Sequence, residues 1–183
     1  LSPRKVRNYF LFFASLLFYA WGEPVYVVIM ILSTVADYSF ALYADYYNQK
    51  GDHKKARRAI YATVIFNLGA LGFFKYTDFI LGALNGAFHW NIPLLGLPLP
   101  IGISFYSFQT MSYTIDVYRG EAKPQKNVLD LGAYVALFPQ LIAGPIVRYT
   151  TIEHQLNHRK ENLDQFSQGV CRFITGLGKK VLI

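Results

Sequence analysis

Hydrophobic and polar residues alternate in long blocks along this chain. Apolar blocks run from Tyr9 to Gly22, from Val25 to about Tyr43, from Ala59 to about Phe88, and from about Ile101 to Tyr118. Blocks that approach 20 apolar residues have the length of a helix that crosses a bilayer. The pattern therefore predicts an all-α, polytopic transmembrane helix bundle.

The first two blocks are separated by Glu23-Pro24 and predict a helical hairpin. Three basic residues precede this hairpin, and a polar, basic loop is predicted to follow it from Asp45 to Arg58. Because lysine and arginine are concentrated in cytoplasmic loops, both flanks are predicted to be cytoplasmic and Glu23 to face outward.

The next two blocks are predicted to cross out and back. The third is predicted to be one long helix or a helix pair, in which Lys75 marks an interfacial bend or a functional, paired or snorkelling lysine. Residues 89–100 contain His89, Trp90 and three prolines, which predict an irregular outer connection. Arg119 then supplies positive charge after the fourth block.

The fourth block carries polar residues that are unusual in a membrane helix. Gln109, Tyr113 and Asp116 are four and three residues apart, so a helix places them on one face. Such a stripe points away from lipid, toward neighbouring helices or water. Two interpretations stay open: hydrogen bonds that hold the bundle together, or the lining of a polar cavity.

A broken apolar segment follows Leu131, in which Pro139, Gly144 and Pro145 interrupt the run that ends at Arg148. Proline removes a backbone donor, and lipid cannot satisfy the carbonyls that this leaves unpaired. Leu131 to Val147 is therefore predicted to be a re-entrant segment that dips into the membrane and returns, forming the wall of a site. The alternative is one complete crossing, which would violate the positive-inside rule.

The composition agrees with a membrane setting. Hydrophobic residues make up 53% of the chain and charged residues 16%, and the mean hydropathy is +0.24. The net charge of +7 lies in short segments between apolar blocks, so membrane lipids with anionic headgroups are the predicted partner and nucleic acid is not. With one cysteine, Cys171, an internal disulfide and a cysteine-based zinc cluster are excluded within these residues.

Histidines give no recognisable metal or catalytic motif. His154 and His158 are four residues apart, but Gln155 stands where a zincin motif needs glutamate. They are better explained by an amphipathic helix on the membrane surface. His53 and His89 have no apparent catalytic partner. We therefore predict no metal site and no bound cofactor.

Three motifs together resemble the membrane-bound O-acyltransferase family, and within it the bacterial alginate O-acetylase branch. They are residues 18–24 (FYAWGEP), residues 99–120 (LPIGISFYSFQTMSYTIDVYRG) and residues 138–148 (FPQLIAGPIVR). The resemblance covers nearly the whole chain. It implies a single transmembrane domain, residues 1–183, from the N-terminal half of a longer protein.

The resemblance further implies transfer of acetyl groups across a bacterial inner membrane to an exported polysaccharide. The acyl donor would be acetyl-CoA or another thioester on the cytoplasmic side, and a periplasmic acetyl-handling protein is a possible partner. The family's catalytic histidine follows a tryptophan in a motif that is expected beyond Ile183, so no catalytic residue is assigned here. Candidates for a substrate tunnel are Gln109, Tyr113, Asp116 and Arg148.

Two other classes of function stay open at this point. Broken helices and intramembrane polar stripes also occur in transporters and channel subunits. A noncatalytic scaffold that docks periplasmic partners is the third interpretation.

Overall fold

The computed structural model describes residues 4–141, 147–152 and 162–182, and all regular elements in these ranges are helices. The chain divides into two compact units, Leu1–Ile152 and Glu153–Ile183. The helices are α1 (Arg4–Gly22), α2 (Val27–Gln49), α3 (His53–Phe88), α4 (Ile103–Arg119), α5 (Val128–Val135), α6 (Phe138–Leu141) and α7 (Leu163–Leu182). The predicted all-α fold class is confirmed.

The predicted hairpin is present, but the basic loop after it is much shorter than expected. Helix α2 continues to Gln49 and α3 begins at His53, so the loop predicted from Asp45 to Arg58 is reduced to residues 50–52. Asp52 caps α3, since its carboxylate accepts a hydrogen bond from the backbone N–H of Lys55 at 3.1 Å. The basic residues predicted for the loop therefore lie mainly on the first turns of α3.

Helix α3 is one continuous helix of 36 residues. Of the two predicted alternatives, one long helix is confirmed and the helix pair is not, and the bend predicted at Lys75 is wrong. The helix continues through Lys75, whose ammonium lies 5.5 Å from the centre of the Tyr76 ring. A long side chain that extends along an aromatic neighbour places its charge away from the helix axis without breaking the backbone hydrogen bonds.

The irregular connection between α3 and α4 is confirmed and is held by side chains of α3. The amide of Asn85 pairs with both backbone groups of Ile92, at 2.8 and 3.0 Å. The carboxylate of Asp78 accepts hydrogen bonds from the N–H groups of Leu95 and Gly96. These contacts satisfy backbone groups that the prolines leave outside regular structure.

The unit Leu1–Ile152 has an apolar surface and a partly polar interior. Large apolar side chains are exposed, including Phe10 at 72% and Trp21 at 91%. Soluble monomers rarely carry such extensive apolar surface. Among the described residues, α2 and α3 are long and apolar enough to cross a membrane. We conclude that the chain is part of a membrane protein.

The segment after α4 runs along α1 and then doubles back. The Asn127 side chain bonds the Tyr9 hydroxyl, and the Phe138 ring packs on Phe18 further along α1. Leu141 then reaches the start of α4, and by Val147 the chain has returned to Tyr134, whose hydroxyl donates to the Val147 carbonyl at 2.6 Å. That Leu131 to Val147 dips into the membrane stays a prediction, and residues 142–146, with Gly144 and Pro145, lie outside the described residues.

Candidate functional site

The polar stripe of α4 faces the interior of the bundle. Gln109 and Asp116 are 5% and 3% exposed, and Tyr113 is fully buried. Glycines in left-handed conformation flank the helix on both sides, Gly102 before it and Gly120 after it, and fix where its first and last turns lie. The predicted inward orientation of these three residues is therefore confirmed.

Two members of the stripe hold neighbouring segments. The Gln109 amide donates a hydrogen bond to the Tyr134 carbonyl at 3.1 Å, which ties α4 to α5. The Tyr113 hydroxyl accepts the N–H of Gln125 at 2.9 Å and thereby fixes the connection after α4. Interhelical hydrogen bonding, one of the two interpretations left open by the sequence, is thus observed for Gln109, whereas Tyr113 is bonded to the connection between α4 and α5.

Three tyrosines form an aromatic cluster at the point where the re-entrant segment returns. The Tyr149 ring lies with its centre 4.9 Å from that of Tyr113 and 5.4 Å from that of Tyr134, edge to face in both cases. All three rings are buried. Edge-to-face packing of this kind adds to the energy of burial, so the cluster attaches the returning chain to α4 and α5.

Arg148 and Asp116 bring opposite charges to the edge of this cluster. Asp116 is buried and its Oδ2 atom has no hydrogen-bond partner among the described residues, whereas Arg148 is exposed and close enough to interact electrostatically with the Asp116 carboxylate. A buried acceptor without a partner is costly and calls for an explanation. The two residues therefore bring an exposed cation and a buried carboxylate to this part of the protein.

The structure thus places all four predicted site residues around one stretch of the bundle. Gln109 and Tyr113 line the α4 face that packs on the returning segment, and Arg148 and Asp116 lie at its charged end. The arrangement thus combines the buried polar groups of Gln109, Tyr113 and Asp116 with the exposed cation of Arg148. The role of these residues as tunnel lining stays a prediction.

A second polar cluster, which the sequence analysis missed, connects α2, α3 and α4. The Asn67 amide donates to both carboxylate oxygens of Asp37 at 2.8 and 3.0 Å, and the Thr63 hydroxyl donates to the same carboxylate. Thr110 and Thr114 of α4 reach Asn67 and the Asp37 carbonyl, both at 3.4 Å. All five residues are buried. Asp37 could have indicated this cluster, because an aspartate inside an apolar block needs polar partners.

The two histidines in the described ranges, His53 and His89, belong to neither cluster. His53 contacts the Asn48 side chain at 3.2 Å, and His89 ends α3 in a left-handed conformation. His154 and His158 lie outside the described residues. Within residues 4–141, 147–152 and 162–182, no group of three histidine, cysteine or acidic side chains could hold a metal ion.

Comparisons with known proteins match the whole chain to part of larger relatives. It is 40% identical over its full length to "Probable alginate O-acetylase AlgI" of Pseudomonas syringae pv. tomato, of which it covers 36%. It is 39% identical to the protein of the same name from Azotobacter vinelandii, of which it covers 37%. A "Peptidoglycan O-acetyltransferase" of Helicobacter pylori is 33% identical over 93% of the chain and 37% of its own length.

The chain therefore spans little more than a third of the length of these curated relatives. No family model matches the chain, and no solved structure does. The relatives' names nevertheless confirm the resemblance to the membrane-bound O-acyltransferase family that the three motifs indicated.

Proposed function

We propose that this chain is part of a membrane-bound O-acyltransferase that transfers acetyl groups to an exported, alginate-like polysaccharide. The observation that carries the proposal is the identity of about 40% to alginate O-acetylases along the entire chain. Similarity to a peptidoglycan O-acetyltransferase supports the same reaction on a different polymer outside the membrane. Both names favour acyl transfer over transport or a purely scaffolding role.

The geometry supports a role in forming the acyl-transfer site. Two observations support this role: the polar stripe of α4 is buried, and the tyrosine cluster packs Tyr149, just after the broken segment, against α4 and α5. We infer that these elements form one wall of a tunnel in which donor and acceptor meet. Gln109, Tyr113 and Asp116 would offer polar contacts, and Arg148 a cation for an anionic donor or a lipid phosphate.

The chain spans 36% of its relative's length, and we propose that the chemical step is performed by another part of the whole protein. In the proposed reaction a histidine there removes the proton from an acceptor hydroxyl, the hydroxyl oxygen attacks the acyl carbon, and the C–S bond breaks as the leaving sulfur takes the proton from the histidine. The donor would be acetyl-CoA or another acetyl thioester that enters from the cytoplasm. The described residues contribute positioning and exclusion of water.

The proposed location is the bacterial inner membrane, which the protein would cross several times. Basic residues around the first hairpin and after α4 support a cytoplasmic position for these parts by the positive-inside rule. The hairpin tip at Glu23 and residues 89–100 then face the periplasm. On that side the partner would be the polysaccharide itself or a periplasmic protein that passes acetyl groups on.

The test is complementation of a strain that lacks the whole protein. We expect Arg148→Gln to lower the acetyl content of the exported polymer at normal protein abundance, while the polymer yield stays unchanged. Lys75→Gln is the matched control, because Lys75 is an exposed cation on α3 away from the site. Loss of polymer export with unchanged acetyl content per sugar would contradict the transferase and favour a transporter.

A further inference from the structure

Helix α7 has one apolar face and one polar face. Seven apolar residues recur every three or four positions and share one side of the helix: Leu163, Phe166, Val170, Phe173, Ile174, Leu177 and Val181. All seven are exposed, for example Leu163 at 84% and Phe173 at 69%. A helix with this periodicity buries its apolar face against something less polar than water.

The composition of α7 argues against a transmembrane position. Its 20 residues are enough to cross a bilayer. However, it carries four charged residues: Asp164, Arg172, Lys179 and Lys180. Among the described helices, α2 and α3 are long and apolar enough to cross a membrane, and α7 is not. A helix that is long, strongly two-faced and low in overall hydrophobicity lies in the membrane interface instead.

The charges on α7 specify the kind of surface. Three basic residues oppose a single acid, and Lys179 and Lys180 lie in the last turn. Arg172 and Lys179 are seven residues apart, so they form one stripe on the polar side of the helix. A helix is about 10–12 Å wide, so charges on the polar side of a helix that lies in the interface stay within about one Debye length of the lipid headgroups.

From these observations we propose that α7 lies in the plane of the membrane, with its apolar face among the acyl chains of an anionic lipid surface. The position of α7 does not depend on the proposed acyl transfer. Lipid is the proposed partner of its apolar face. The experiment below distinguishes this from docking of the same face onto protein.

The experiment places one fluorescent label at a time on α7 of the whole protein, reconstituted in vesicles of phosphatidylethanolamine and phosphatidylglycerol. The native Cys171 is first replaced by serine. A cysteine is then introduced on the apolar stripe, Leu177→Cys, or on the polar side, Gln168→Cys, as the matched control. Each label is tested with lipids brominated in the acyl chains and with a water-soluble quencher.

We expect brominated lipid to quench the Leu177 label several-fold more than the Gln168 label, and the water-soluble quencher to show the opposite order. A Leu177 label that neither reagent reaches would mean that the face docks on protein, which would overturn the proposal. Equal lipid quenching at both positions would indicate a spanning helix and would overturn it as well.

A second experiment tests the contribution of the basic residues of α7. Replacing Lys179 and Lys180 by glutamine should reduce lipid quenching of the Leu177 label in vesicles that contain phosphatidylglycerol, and leave it unchanged in purely phosphatidylcholine vesicles. The same quenching with and without the lysines in anionic vesicles would refute an anionic surface as the partner.

Discussion

The side-chain amide of Gln109 donates a hydrogen bond to the main-chain carbonyl of Tyr134, and the two residues are 25 positions apart in the sequence. This contact joins the middle of α4 to the last turns of α5, just before the chain enters its broken segment. Gln109 was predicted to line a tunnel because it is a polar residue in an apolar helix. The hydrogen bond shows that it also has a structural role. The two roles can be separated by experiment.

Replacing Gln109 with leucine keeps the volume and removes the donor to Tyr134. We expect a loss of about 1 kcal/mol in the free energy of unfolding of the whole protein in detergent, since a buried carbonyl loses its partner. If Gln109 also contacts substrate, acetyl transfer at equal folded protein should fall several-fold further. Activity that merely follows the folded fraction would reduce Gln109 to a structural role.

The Asp37 cluster predicts a larger structural effect. Asp37→Ala leaves the Thr63 hydroxyl and the Asn67 amide without their shared acceptor, so we expect the free energy of unfolding to fall by about 1–3 kcal/mol. Thermal unfolding of the purified whole protein would measure it. Ser39→Ala is the control on the same helix, because Ser39 is bonded only to its own turn, at the Val35 carbonyl. Equal losses in both variants would contradict a specific role for the cluster.

The sequence predicted α1 to α4 well because each lies largely in one apolar block, whereas α7, in which apolar and polar residues are interleaved, was not predicted. The predicted helix from Ile101 to Tyr118, for example, is observed from Ile103 to Arg119. The loop predicted from Asp45 to Arg58 was wrong for a local reason: Asp52 caps α3, so the helix begins within the segment that contains the basic residues. Charge indicated which residues stay near water, but it did not indicate where the helix begins.

The Asp37 cluster was not predicted from the sequence, for a different reason. Its members lie on three helices, and up to 77 residues separate the partners. Threonine and asparagine are unremarkable one at a time in an apolar block, and only the packing of α2, α3 and α4 brings them together. By contrast, the α4 stripe was predictable because its members are near each other in sequence and share one face.

Gly102 predicts a backbone effect at the junction of α4 and α6. Its φ is +79°, and a Cβ there would lie 2.8 Å from the carbonyl oxygen of Leu141. Gly102→Ala should therefore combine left-handed strain of about 1–2 kcal/mol with displacement of the re-entrant segment. Gly120 is a matched control, because its φ is +76° and no atom lies within 4 Å. Thermal unfolding should show a greater loss for Gly102→Ala; equal losses would mean that the Leu141 contact is unimportant.

Asp52 predicts a local dependence on pH at the start of α3. The backbone N–H of Lys55, followed by its ammonium group, lowers the pKa of the Asp52 carboxyl below its ordinary value. The cap is therefore fully effective above the ordinary aspartate pKa and is lost as the pH falls through the lowered folded value. Protection of the Lys55 amide from hydrogen exchange should fall over that range. Asp52→Asn keeps a capping side chain without the charge, so its protection should not change with pH.

The pair of Asp116 and Arg148 gives the sharpest test of the candidate site. If Arg148 serves only to neutralise the buried carboxylate, Arg148→Gln should impair acetyl transfer, and adding Asp116→Asn should restore most of it, because no charge is then left unbalanced. If Arg148 instead binds an anionic donor or lipid phosphate, the double variant should be as impaired as Arg148→Gln alone. Arg148→Lys should then recover only part of the activity, since lysine lacks the bidentate fork.

The measurement is a double-mutant cycle on the acetyl content of the exported polymer at matched protein abundance. Full activity in Arg148→Gln would remove this residue from the site altogether and would leave the tyrosine cluster and Gln109 as its only supported elements among the residues that the structure describes.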